Sequence, residues 1–341
     1  MDCSLRDQNL SSETVSTMQP GTTNAPKDKE RSKARVHPVL ALGLGIIAAS
    51  TSSILIRFAQ MDAPSLVIAA YRLTIASLIL APFLFRHREK LRKLSPAQYK
   101  LAFLSGLFLA LHFGTWITSL EYTSVTSSVV LVQTTPLFVA AFSPLLLGEM
   151  PSWRTLIGLG LAFGGGLLIA VSDYCLFSDG LLCATAASGS GTNILLGDLL
   201  ALLGGAAGAA YLIIGRRLRS DLSLLTYIGL VYSSAAIFLI IAVISLGYDL
   251  FGYPPIAYLW FLLLAIFPQL LAHSTYNWAL RYLPATKVSI TLLGEPISAA
   301  VLAYLVLGEL PSPLRMVGAG IVLVGVASAL IRTHPGEIAT D

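Results

Sequence analysis

Charge is scarce in this chain. Only 12% of its 341 residues are Asp, Glu, Lys or Arg, while 55% are hydrophobic. Ordinary soluble domains carry about twice that charged share. A water-soluble fold of this length cannot bury so much apolar surface, and the mean hydropathy is strongly positive. The net charge of +4 does not collect into one basic patch. The cations sit in short runs between apolar stretches, so no nucleic-acid partner is expected. With three cysteines, neither a disulfide scaffold nor a four-thiolate metal site can be built, although Cys175 and Cys183 fall close enough to bridge. Also missing are a Walker-type nucleotide loop, a His-Glu-x-x-His zinc helix, a nucleophile elbow and a pair of intramembrane aspartates. Asp173 and Asp198 stand singly. No enzyme, cofactor or metal is expected from such a chain. Residues 1–36 are polar, without the apolar core of a signal peptide, and read as a disordered cytoplasmic tail.

What is present is a series of apolar stretches near 38–58, 64–85, 99–119, 124–146, 154–173, 196–215, 224–246, 256–279, 286–307 and 314–332. Each approaches the length of about 20 residues that a helix needs to cross a bilayer. The expectation is an all-α polytopic membrane protein of ten transmembrane helices, embedded in a lipid bilayer. Lys and Arg orient it, because cytoplasmic loops accumulate them. With the N-terminal tail inside and ten spans, 19 of the 22 Lys and Arg fall on one side. Arg57 and Arg315 fall outside and Arg72 lies within a span. Both termini are then cytoplasmic, the 174–195 loop is external, and a short C-terminal tail follows at 334–341. The plasma membrane, or the inner membrane of a bacterium, is the expected location.

A shift of 160 residues aligns LGEMPSWRTLIG (147–158) with LGELPSPLRMVG (307–318) without a gap, and pairs Tyr122 with Tyr282, Thr126 with Thr286 and Pro136 with Pro296. Chance similarity of apolar helices does not easily repeat a polar Gly-Glu-x-Pro-Ser junction. Two copies of five spans each must have opposite orientation, so the repeats, 37–173 and 196–333, are inverted. YRLTIASLILAP with its intramembrane Arg72, LEYTSVTSSVVLVQTTPLFVAAFSPLLLGE (120–149) and LLGEPISAAVLAYLVLGE (292–309) resemble the EamA-type family of the drug/metabolite transporter superfamily. The resemblance covers about 38–332. It implies a ten-helix transporter fold with a central cavity between the halves, and export or exchange of amino acids or related metabolites. The polar tail and the fifth-to-sixth connection are longer than the family pattern.

Ionisable groups inside a bilayer cost several kcal/mol, which makes each a functional candidate. Glu295 lies roughly 13 Å into the ninth span at 1.5 Å per residue. It shares a helical stripe with Lys287, Thr291 and Ser298, which faces either a cavity or a neighbouring helix. With no cation close by, Glu295 can take and release a proton as a cavity alternates, which would couple transport to a proton gradient; with one, it stays ionised and orients a substrate amine. The eighth span carries a second stripe of Gln269, His273, Tyr276 and Asn277. The repeat sets Trp116 opposite Tyr276 and Thr115 opposite Thr275, with His112 one turn before Trp116. These residues either wall a pocket for an amino acid or heterocycle or pack between helices. Arg72, roughly 10 Å from the outer end of its span, can snorkel outward, pair with a carboxylate, or hold a substrate carboxylate in bidentate fashion. Gln133, three residues before Pro136, sits beside backbone that the proline frees. Glu149 and Glu309 read as turn-fixing residues of the repeated junctions.

The leading expectation is a secondary transporter for a small organic metabolite, an amino acid or related compound. A multidrug or nucleobase-type efflux carrier is the alternative, ahead of a channel or an intramembrane enzyme.

Overall fold

The computed structural model describes residues 37–123, 125–171, 175–177, 181–183, 193–295, 297–298 and 313–330. Helices dominate. The first span is a pair, α1 (Pro38–Ser50) and α2 (Ser52–Gln60), and the second is α3 (Ser65–Arg86), followed by a short α4 (Arg88–Arg92). The third is α5 (Pro96–Tyr122), the fourth α6 (Val125–Val132) with α7 (Thr135–Leu147), and the fifth α8 (Trp153–Val171). The second half runs α9 (Ile194–Arg219), α10 (Leu224–Ser245), then α11 (Pro255–Leu264) and α12 (Ser274–Ala279) joined by a π-helical stretch, Ala265–His273. The ninth span begins as α13 (Ala285–Leu292), and the tenth is α14 (Pro313–Leu330). Among the described residues seven spans are long and apolar enough to cross a membrane, and Trp153–Ile169 and Met316–Leu330 are shorter apolar helices. The 174–195 segment carries, ahead of the start of α9, a hairpin of β1 (Cys175–Phe177) and β2 (Leu181–Cys183), whose antiparallel register sets Cys175 opposite Cys183.

Local chemistry sets the helix ends. Ser95 caps α5 by accepting from the Gln98 amide, and the Gln98 side chain accepts from the Ser95 amide, a reciprocal box ahead of Pro96 at the first helical position. At the other end of the hairpin formed by the fourth and fifth spans, α7 stops at Gly148, whose φ of 67° is left-handed and open to glycine without strain.

The packing repeats in the manner of the sequence. The third span packs on the sixth as the eighth packs on the first, and the fourth lies against the sixth as the ninth lies against the first. The second and seventh, fourth and ninth, and fifth and tenth spans pair with each other. That is the contact pattern of two five-helix halves related by a pseudo-two-fold axis. Small residues set the closest approaches. A Cβ added at Gly45 would meet Tyr276 at 3.2 Å, and one at Gly204 would meet the Trp116 Cβ at 3.2 Å. The first and sixth spans thus receive equivalent aromatics of the eighth and third. Between the fifth and tenth spans a Cβ at Gly158 would lie 2.6 Å from the Gly325 carbonyl oxygen, and one at Gly165 would lie 2.7 Å from that of Gly318. Backbones touch there because nothing larger than glycine intervenes.

The fourth and ninth spans break at matching places. Thr134 N–H turns back to the Leu131 carbonyl and Gly294 N–H to that of Thr291, each a tight three-residue turn. The cause is Pro136 and its repeat mate Pro296, which provide no N–H to the carbonyl four residues before them. The freed carbonyls find other donors. Thr135 Oγ1 donates to Val132 O at 2.8 Å, and Gln133 Nε2 reaches across to Leu292 O at 3.3 Å.

Candidate functional site

A cavity of ≈ 70 Å³ opens between the halves at these breaks. Arg72 of the second span, His112 and Trp116 of the third, Gln133 and Thr135 of the fourth, His273 and Tyr276 of the eighth, and Glu295 of the ninth all face it. Thr135 and Glu295, 160 residues apart, are repeat mates that follow the two breaks.

Arg72 is 1% exposed, so it does not snorkel to an interface. Its Nε donates to Gln269 Oε1 at 2.9 Å and its Nη1 to Ser52 Oγ at 3.2 Å, and its guanidinium lies 4.0 Å over the Phe113 ring. These contacts use two of five N–H donors. Among the described residues no carboxylate lies within the 4.0 Å of an ion pair with Arg72. Its direct partners are thus neutral oxygens and a ring face, with Glu295 across the same cavity beyond ion-pair distance, which leaves the guanidinium without an anion in contact among the described residues. Gln269 is fully buried, and because its oxygen faces the cation, its NH₂ must point away; that nitrogen has no partner among the described residues. Trp116 Nε1 and His273 Nδ1 are likewise buried without one. Native interiors rarely leave such groups unsatisfied.

Glu295 faces the same space. Its Oε1 accepts from the Tyr276 hydroxyl at 3.1 Å, and its backbone oxygen accepts from Ser50 Oγ at 3.0 Å. That second bond ties the ninth span to the end of α1. His112 presents Nδ1 to the Gly204 carbonyl at 2.8 Å. A carbonyl only accepts, so Nδ1 carries the hydrogen and Nε2 of the neutral ring is left as an acceptor. The His112 ring stacks on Trp116 at 5.9 Å and 22°.

Of the candidates named from the sequence, Arg72, His112, Trp116, Gln133, His273, Tyr276 and Glu295 line the cavity, and three stand back from it. Gln269 lies behind Arg72. Asn277 is fully buried, its amide donating to the Tyr211 hydroxyl and, at 2.8 Å, to the His273 carbonyl. Thr291 turns its hydroxyl to Val288 O at 2.6 Å. The reasons are local. The π-helical stretch widens the turn within the eighth span, so residues spaced as one α-helical stripe diverge. The break at Leu293–Gly294 likewise takes Glu295 out of register with Thr291 and Lys287. Ser52 and Tyr211, which the sequence did not single out, also line the cavity. Glu149 does more than fix a turn: its Oε1 meets Arg216 Nε at 2.6 Å and its Oε2 accepts from the Ala285 amide at 3.3 Å.

Known proteins share this architecture. An uncharacterized transporter of Archaeoglobus fulgidus is 26% identical over 302 residues, covering 88% of this chain and 99% of the relative. An uncharacterized transporter of Bacillus subtilis, YdfC, is 24% identical over 262 residues, covering 76% and 79% respectively. A solved crystal structure superposes with a TM-score of 0.69 at 16% identity, covering 86% of this chain and 96% of its own, a likeness of fold. The profile of the EamA-like transporter family matches twice, over residues 38–171 and 195–331. With both five-helix halves matched, this chain belongs to the EamA-like transporter family, within the drug/metabolite transporter superfamily.

Proposed function

We propose that this membrane transporter is a secondary carrier that exports or exchanges an amino acid or a closely related zwitterion through the cavity between its halves. The observation that supports it most is the charge arrangement. One cavity holds a buried cation and a carboxylate that are not paired with each other, beside unspent donors and aromatic walls. A substrate carboxylate satisfies Arg72 in bidentate fashion, and a substrate amine meets Glu295. The stacked His112 and Trp116 favour a flat or apolar side chain packed against them. Paired broken helices at corresponding places in inverted repeats are where such carriers hold their substrates. The distribution of Lys and Arg supports cytoplasmic termini and an external 174–195 segment in the plasma membrane. Proton coupling through Glu295 belongs to the same reading.

Counterflow in proteoliposomes tests it. Purified protein reconstituted with a high internal concentration of unlabelled amino acids should accumulate labelled amino acid transiently and saturably. Competition by nucleobases or cationic drugs, with no effect of amino acids, would transfer the reading to the efflux alternative.

A further inference from the structure

Glu149, at the junction after α7, lies in the first half, yet the partners of its carboxylate among the described residues are in the second. Its carboxylate pairs with Arg216 near the end of α9 and accepts from Ala285 N, the first amide of α13. Arg216 in turn donates from Nη1 to Leu280 O at 2.6 Å and to Arg281 O at 3.3 Å, where the eighth span ends. One ion pair therefore gathers the fourth-to-fifth junction, the sixth span and the eighth-to-ninth turn at a single end of the bundle.

The opposite end differs. Gly45 and Gly204 are equivalent by their contacts with Tyr276 and Trp116, and they are 159 residues apart. The same offset carries Arg216 back to Arg57 at the end of α2. Arg57 is exposed and forms no ion pair among the described residues. Among the described residues the cation is thus engaged at one end and not at the other, with Glu309, the repeat mate of Glu149, lying outside them; an inverted repeat held in one of its two states differs between its ends in this way.

We propose that the Glu149–Arg216 pair is a conformational latch, formed while the cavity is shut toward the face that bears Arg216 and broken when it opens there. Its partners are 23% and 13% exposed, so water replaces each at modest cost. A fully buried pair would be a permanent brace, too expensive to open. The latch acts at the start of the span that carries Glu295, so its release frees the segment before the Leu293–Gly294 break and shifts one wall of the cavity. This proposal rests on the carrier reading above, but its first test needs no substrate.

A reporter, Thr135→Cys in the cavity, is placed in a chain whose Cys3, Cys175 and Cys183 are changed to Ser. It is labelled with a membrane-impermeant maleimide in right-side-out and inside-out vesicles. Glu149→Gln should speed labelling from the Arg216-bearing face about fivefold, the shift that loss of a partly exposed ion pair produces in a two-state equilibrium. Labelling from the other face should slow. The charge exchange Glu149→Arg with Arg216→Glu should restore the parent ratio. An unchanged ratio in Glu149→Gln, or faster labelling from both faces, overturns the proposal. A second variant guards against a merely loosened fold: Glu149→Cys with Arg216→Cys, bridged by a short bifunctional thiosulfonate. Bridging should stop transport and reductant should restore it; undiminished transport by the bridged protein overturns the latch. A parent protein that transports nothing while its labelling ratio still responds would sink the carrier reading and leave the latch standing.

Discussion

Gln269→Glu asks most of the reasoning about the cavity, because it should move stability and transport in opposite directions. Gln269 Oε1 lies 2.9 Å from Arg72 Nε, so the substitution turns a neutral acceptor into a carboxylate at nearly the same position. The present bond already has a charged donor, so what the substitution adds is the attraction of opposite charges at hydrogen-bond distance, which offsets the cost of burying the new charge beside a cation that is already buried. The melting temperature in detergent should hold or rise. Substrate recognition should suffer badly. A resident carboxylate about 4 Å from the substrate's own carboxylate repels it by about 4 kcal/mol at an effective dielectric of 20, which is about a thousandfold in affinity. The assay is substrate KM in counterflow with protein content matched by immunoblot, alongside thermal unfolding of the same preparation. A KM within a factor of a few of the parent's would refute the view that Arg72 is neutralised by substrate.

Glu295→Gln keeps volume and most hydrogen bonding but removes the titrating group; it should still exchange substrate yet fail to concentrate it under an imposed proton gradient, and equal accumulation by mutant and parent would remove Glu295 from coupling. Gly158→Ala should lower thermal stability by about 1–3 kcal/mol, since its Cβ would overlap the Gly325 carbonyl. Gly160→Ala, with nothing within 4 Å of the added Cβ, should be neutral. Lys93→Cys, exposed after α4, should react with impermeant maleimide only in inside-out vesicles; labelling on intact cells would reverse the orientation.

The architecture was legible because its signals are polar or prolyl and stand out against an apolar background. The repeated Gly-Glu-x-Pro-Ser junctions gave the inverted halves, and Pro136 marked the freed backbone of the fourth span, while the matching break in the ninth emerged only from the structure. Trp116, Tyr276 and Glu295 could be found because an aromatic pair at the repeat distance and a carboxylate in mid-span are costly choices there. What the sequence concealed depends on backbone register. The interruption of the first span at Thr51 has neither proline nor glycine to announce it, so Ser52 went unnoticed as a ligand of Arg72. A wider turn in the eighth span cannot be read from a stripe that assumes α-helical spacing, and it separated Gln269 and Asn277 from the residues that reach the cavity. The depth of Arg72 was readable, but its neutral partners were not, since they come from two distant segments.

Four of the bonds that build the cavity cross from one half to the other: Arg72 to Gln269, Ser50 to the Glu295 carbonyl, His112 to the Gly204 carbonyl, Gln133 to the Leu292 carbonyl. In assembly terms the molecule is a heterodimer whose two subunits share one chain. Neither half owns a core, and either alone would bare a guanidinium or a carboxylate to lipid. Severed within the 174–195 connection and produced as two polypeptides, the halves should stay in the membrane only as a pair, each acting as the other's obligate solvent.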